Sequence, residues 1–217
     1  MLYNKTLALN HIYYNQQYQT FCWVIGRAMN KKQPIITDKT RNAYLEAFCE
    51  LYQKKSIEKI SIQELTNKAG YNRSTFYQYF KDIYELLDYL EVFIMNRLQE
   101  PLKESINSDY TDFEFIDQIM RIHDEHYLYI SALIGKHGNI HFASRLKDIA
   151  IPFILEAHKI PKDNVEARLV LEFHLSGVVA AVAYLHSNQK KIPSDDLKGL
   201  YHGICFEGSI RQFLKYK

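Results

Sequence analysis

The chain has 217 residues, 47% of them hydrophobic and 24% charged, enough to bury a sizeable core and ordinary for a globular protein. Its three cysteines, Cys22, Cys49 and Cys205, are few, odd in number and far apart; that pattern excludes a disulfide scaffold and a zinc finger and fits a reducing, cytoplasmic setting. The net charge of +2 hides an asymmetry: residues 1–81 hold 12 Lys/Arg against 5 Asp/Glu, and residues 82–217 hold 15 against 20, so a polyanion would meet the first third.

Residues 1–36 are rich in Tyr, Asn and Gln, contain no acidic residue and lack helical periodicity. They read as a flexible extension, with Met29 as a natural start. The segment has no clean apolar block after a basic start, which argues against a signal peptide. From Thr37 the apolar residues recur at spacings of three and four, so the chain reads as all-α, with about nine helices. Helix one is expected over about 38–54, turning Ala43, Ala47, Leu51 and the aromatics Tyr44, Phe48 and Tyr52 inward. Ser61 and Glu64 form an S-x-x-E start for helix two, and Gly70 supplies the backbone freedom for its end. Asn72 is placed to cap helix three, which carries Phe76 and Phe80 inward.

Asp82 and Glu85 open a long fourth helix striped by Ile83, Leu86, Leu87, Leu90, Ile94 and Leu98. Pro101 should kink or end it. Thr111 and Glu114 open a fifth helix with Phe113, Ile116, Met120 and Tyr127 on one face. The glycines of 135–139 mark a loop, a helix follows to about His158, Pro161 to Glu166 mark the next start, and Pro193 with Ser194 mark the last. The most continuous apolar run, Gly177 to Leu185, is too short to span a bilayer. The expected division is an extension (1–36), a three-helix head (37–81) and a larger helical body (82–217).

A helix that enters the major groove must be short, must expose its first turns and must present donors without acidic groups. Helix three meets these demands, since no Asp or Glu occurs between Asn67 and Lys81. Arg73 could grip a guanine edge and Gln78 could read adenine, while Thr75, Tyr77, Tyr79 and Lys81 are suited to phosphate. Tyr77 and Tyr79, two apart on a short helix, cannot both point inward. The stretch Ala69-Gly-Tyr-Asn-Arg-Ser-Thr-Phe-Tyr-Gln-Tyr-Phe-Lys-Asp, continued through Leu86-Leu87, resembles the DNA-binding domain of TetR/AcrR transcriptional regulators. Thr75, Phe76, Tyr77, Tyr79, Phe80 and Leu86 carry the match. Ser56, where many members have Gly, and Ile60, in place of a common Thr, depart from it in the connection between helices one and two. The resemblance implies a DNA interface of Arg73, Ser74, Thr75, Tyr77, Gln78, Tyr79 and Lys81, with Lys39 and Ser61 touching backbone phosphates. It also implies that the body binds a ligand and dimerises.

Leu169 to Leu185 is apolar except for Glu172, His174 and Ser176, and a helix apolar all round must be covered all round. Gly177, Ala180, Ala181 and Tyr184, with Leu200 and Ile204 of the last helix, are the expected dimer interface. Leu197, Tyr201 and Phe213 would complete an intersubunit four-helix bundle. Phe115, Ile119, His123, Tyr127, Phe153 and Phe173 are candidates to line a pocket for a small apolar or aromatic effector. Eight of the nine histidines follow residue 120, with His123/His126 and His137/His141 at ligand-like spacings; the second pair spans a glycine loop, and neither metal nor cofactor is expected. The stretch from His123 to Ile154 is similar to a subgroup of regulators found beside small-molecule metabolism genes, some of which act through a partner protein. The function expected is a homodimeric regulator, a repressor, that binds a pseudo-palindromic operator on double-stranded DNA and is released by an effector or partner. The rival is a protein-interaction adaptor with a vestigial helix-turn-helix. Catalytic motifs are absent, and no membrane partner is expected.

Overall fold

The computed structural model describes residues 36–107, 112–188 and 192–208. The expectations for the 1–35 segment, Met29 among them, and for Thr111 and Phe213 lie outside the described residues. The chain divides into two compact units, residues 1–40 and 41–217; of the first, only the opening of a helix is described.

The described residues contain nine α-helices and no strand: α1 Ile36–Tyr52, α2 Ile62–Ala69, α3 Arg73–Tyr79, α4 Ile83–Asn107, α5 Asp112–Glu125, α6 Tyr127–Ile134, α7 Ile140–Ala157, α8 Val165–Ser187 and α9 Ser194–Glu207. A short 3-10 turn, Ile57–Lys59, joins α1 to α2. Several expected starts are found, though not in every detail. Ser61 Oγ accepts the Glu64 N–H at 3.2 Å, although the Glu64 carboxylate turns away to Lys55 Nζ at 2.5 Å rather than closing the capping box. Gly70 ends α2 in the left-handed region, at φ 76°, where a side chain would be strained. Asp82 Oδ1 accepts the N–H groups of Tyr84 and Glu85, both at 2.9 Å. Asn164, within the expected start, caps α8 by accepting the Ala167 N–H.

Two helix expectations are corrected. Pro101 does not end α4, which continues to Asn107. A proline removes one backbone hydrogen bond, and the buried Leu102 beyond it holds the following turn in the core. The expected fifth helix is two: the backbone of His126, at φ −115° and ψ 27°, breaks the run, so Tyr127 opens α6 instead of continuing α5.

One core runs from Tyr44 through Phe48, Leu65, Phe76 and Phe80 to Leu86, Leu90 and Ile94, and on to Leu133 and Phe142. It crosses Lys81–Asp82 without a break, so α4, α6 and the start of α7 share it with α2, α3 and the later turns of α1. A second, smaller cluster joins Met120 of α5 to Leu197 and Tyr201 of α9, with Val178, Val182 and Leu185 of α8 against it. Leu197 and Tyr201 therefore belong to the inside of the protomer, a correction to their expected place in an interface. The reason is their spacing of four, which puts both on the α9 stripe that faces α5.

Candidate nucleic-acid interface

The candidate reading helix is held from below by aromatic rings. Phe76, fully buried, meets Tyr44 of α1 edge-on with ring centres 5.4 Å apart and lies 5.7 Å from Phe80; Phe80 in turn meets Tyr89 of α4 at 5.9 Å. The Tyr44 hydroxyl donates to the Asn72 carbonyl at 3.3 Å, tying α1 to the first turn of α3. Burial, then the neighbouring Tyr79 and Tyr71, pushes that phenol up to about 12, so it remains a donor at all ordinary pH values. Asn72 Oδ1 collects three donors: the Thr75 N–H at 2.8 Å, the Thr75 hydroxyl at 2.9 Å and the Ser74 hydroxyl at 2.7 Å. One asparagine thus caps the helix and orders both hydroxyls beside it.

Arg73, Ser74, Tyr77 and Gln78 are exposed, as is Lys81 just beyond the helix. Of the two tyrosines, Tyr77 faces out at 52% exposure, and Tyr79 is half-buried, its ring 6.2 Å from Tyr44 and lying under the Arg41 guanidinium at 5.9 Å. The structure therefore brings Arg73, Tyr77 and Gln78 to the outer face of α3 but turns Tyr79 and Thr75 partly inward. Thr75 is committed to the cap, and its expected role toward phosphate is the weaker one. Ser61 is exposed but spends its oxygen on the start of α2. Lys39 is exposed near the start of α1. With no acidic side chain between Asn67 and Lys81, this surface offers donors and positive charge to a phosphate chain without local repulsion.

Sequence reasoning missed part of this surface. A shallow groove opens between α2 and α3, lined by Gln63, Thr66, Asn67, Asn72, Arg73 and Thr75. Gln63 Nε2 donates to Asn67 Oδ1 at 2.8 Å across one turn, so two exposed amides stand beside Arg73. The signal was present as Gln and Asn four residues apart on the polar face of a short helix. Tyr84, 52% exposed on the first turn of α4, is a further phenol beside Lys81.

Residues 45–90 match the family described as bacterial regulatory proteins, tetR family. Over that stretch, from α1 into α4, the chain is like a tetR-family regulator. Its fold agrees over a longer stretch. A tetR-family transcriptional regulator from Streptomyces coelicolor superposes with a TM-score of 0.51 at 18% identity, covering 76% of this chain and 77% of that one. The TetR family transcriptional regulator PfmR from Thermus thermophilus gives 0.56 at 16% identity, covering 76% and 98%. At such identities the likeness is one of fold. No curated protein sequence matches the chain. The match over residues 45–90 supports a DNA-binding transcriptional regulator.

In the body, the expected pocket residues differ in burial. His123 and Tyr127 come together with a residue not singled out, His186 of α8. The two imidazole Nε2 atoms lie 3.1 Å apart, and the Tyr127 ring centre is 4.7 Å from that of His186. His123 Nδ1 lies 3.2 Å from Asp124 Oδ1. Of the two facing Nε2 atoms, one must donate and the other accept, as the tautomers allow. Burial, then His123, pushes His186 down to about 4. His123 pairs across the body and not with His126, its neighbour at ligand-like spacing. Phe115, Ile119 and Phe153 are half-buried. Phe173 is 80% exposed, a correction to its place in a pocket: it lies on the outward side of α8, on the face that also carries Val165, Leu169, Val170, Gly177, Ala180, Ala181 and Tyr184, all exposed. Leu200 and Ile204 of α9 are half-buried.

Proposed function

We propose that this TetR-family regulator acts as a homodimeric repressor that seats two copies of α3 in successive major grooves of a pseudo-palindromic operator. The observation that carries the reading is the acid-free outer face of α3, where Arg73, Tyr77 and Gln78 stand exposed on a helix pinned by Phe76. Arg73 and Gln78 read base edges; Tyr77, Tyr84 and Lys81 meet phosphates and set the register. The dimer is supported by α8. That helix is long and apolar enough to cross a membrane by composition, yet little of it is buried. Its inner side packs Val178, Val182 and Leu185 against Met120, and its flank is held by Lys147, which reaches Glu172 and Ser176, each at 2.9 Å. An apolar face of this kind, opposite one already packed against the body, is better covered by a second copy than by lipid. From Leu169 to Tyr184 it extends about 22 Å at 1.5 Å per residue. A small effector or a partner protein that favours a different head spacing releases the operator. TetR regulators are soluble DNA-binding proteins, and we place this one in the cytoplasm.

The test is selection of duplexes from a random pool, followed by fluorescence anisotropy against a scrambled duplex at several salt concentrations. We expect a selected sequence with two related half-sites about 34–36 Å apart. Equal affinity for selected and scrambled DNA at every salt overturns the reading and favours an adaptor with a vestigial helix-turn-helix.

A further inference from the structure

We propose that Glu91, clamped by Asn139 and Arg145, is a positioning residue that sets the seat of the DNA-reading helix; the inference rests on the DNA-binding reading above. Glu91 lies on the third turn of α4, its side chain only 4% exposed, in a run where Leu90, Ile94 and Met95 are core. A carboxylate at such a place adds little stability that an apolar side chain would not give. What it adds is direction. Its Oε1 accepts from Asn139 Nδ2 at 2.8 Å, and its Oε2 is paired with the Arg145 guanidinium. Apolar contacts can slide past one another, whereas a carboxylate with each oxygen held by a different side chain of α7 and its cap allows one register.

Asn139 is the pivot of the clamp. While its Nδ2 holds Glu91, its Oδ1 accepts the His141 N–H at 3.0 Å as the cap of α7. The residue that starts α7 is therefore the residue that fastens α7 to α4. The loop before it is fixed as well: a Cβ on Gly138 would run into the Leu133 carbonyl of α6.

The clamp sits between two working parts. Toward the DNA, Leu86, Leu87 and Leu90 pack in the shared core, and the rings of Tyr89, Phe80 and Phe76 lead in two contacts to α3. Toward the body, α7 runs along α8, where Lys147 pairs with Glu172. A shift of α8 passes along α7 to α4 and α3 only while Glu91 holds the register.

The experiment measures the affinity of the full-length protein for the selected operator and for duplexes whose half-sites are moved apart by one or two base pairs. Asn139→Ser keeps a good capping side chain but removes the donor to Glu91. The double variant Glu91→Leu with Arg145→Leu replaces the ion pair with apolar contact, which preserves folding where single removal does not. We expect the wild type to prefer one spacing, and both variants to lose about tenfold of that preference, within the range of ordinary coupling between sites, with thermal unfolding of Asn139→Ser close to wild type. Unchanged spacing preference in either folded variant overturns the clamp while leaving DNA binding intact. A wild type with no preferred duplex overturns the DNA-binding reading itself.

Discussion

Arg73 occupies the leading end of α3 with its guanidinium exposed beside the Gln63–Asn67 amide pair. A bidentate grip on guanine discriminates against the wrong base by about 1–3 kcal/mol, so Arg73→Ala should flatten sequence preference by that amount at one position in each half-site. Anisotropy with single-base operator variants checks this, and unfolding should not change, because the side chain is exposed. The candidate recognition residues were legible because acid-free, donor-rich composition on a short helix has few other uses. The ordering of Ser74 and Thr75 by Asn72 was less so, since a cap seen in sequence does not say how many donors its oxygen will collect. Nor could spacing along the chain bring His123 to His186, which are 63 positions apart. That pair makes its own prediction. His186 has its folded value depressed, from 6.5 to about 4, so the unfolded chain takes up a proton before the folded one does. Stability is complete above pH 6.5 and falls as the pH drops through this window, by no more than about 3 kcal/mol. Urea unfolding between pH 4 and 7 should show that loss, and His186→Gln should show a shallower one.

Among the elements, α8 repays the closest physical reading. Its sequence announced an apolar helix, and the structure sorted its residues into two sides. Val178, Val182 and Leu185 pack against Met120, and Leu169, Phe173 and Tyr184 face out. Composition alone could not make that division, because apolar residues occupy nearly every position and leave no periodic contrast. The same limit explains the misplacement of Phe173, whereas helices with a polar side, such as α1 and α2, were read correctly in type and near their ends. The helix does not end at Pro101, because the burial of Leu102 next to it offsets the local penalty. If the outward side of α8 is the dimer contact, Phe173→Glu should weaken the dimer by about 2 kcal/mol or more, as expected for a central aromatic anchor. Sedimentation over a concentration series would show monomer where the wild type is dimeric. The folded protomer should be as stable as before, since the substituted ring is 80% exposed within it.

For the molecule as a whole, charge and packing divide the labour. The basic first third supplies attraction to a polyanion, and the acidic remainder keeps the body from competing for it. The uninterrupted core is the other global feature, because the family match stops at residue 90 while the buried side chains that complete it do not. Leu133 and Phe142 seal the underside of the same interior that seats Phe76. A hybrid regulator stitched together at residue 81 or 90 would therefore inherit a reading helix whose foundation had been left behind, and a working transplant would have to carry the chain through to about residue 145.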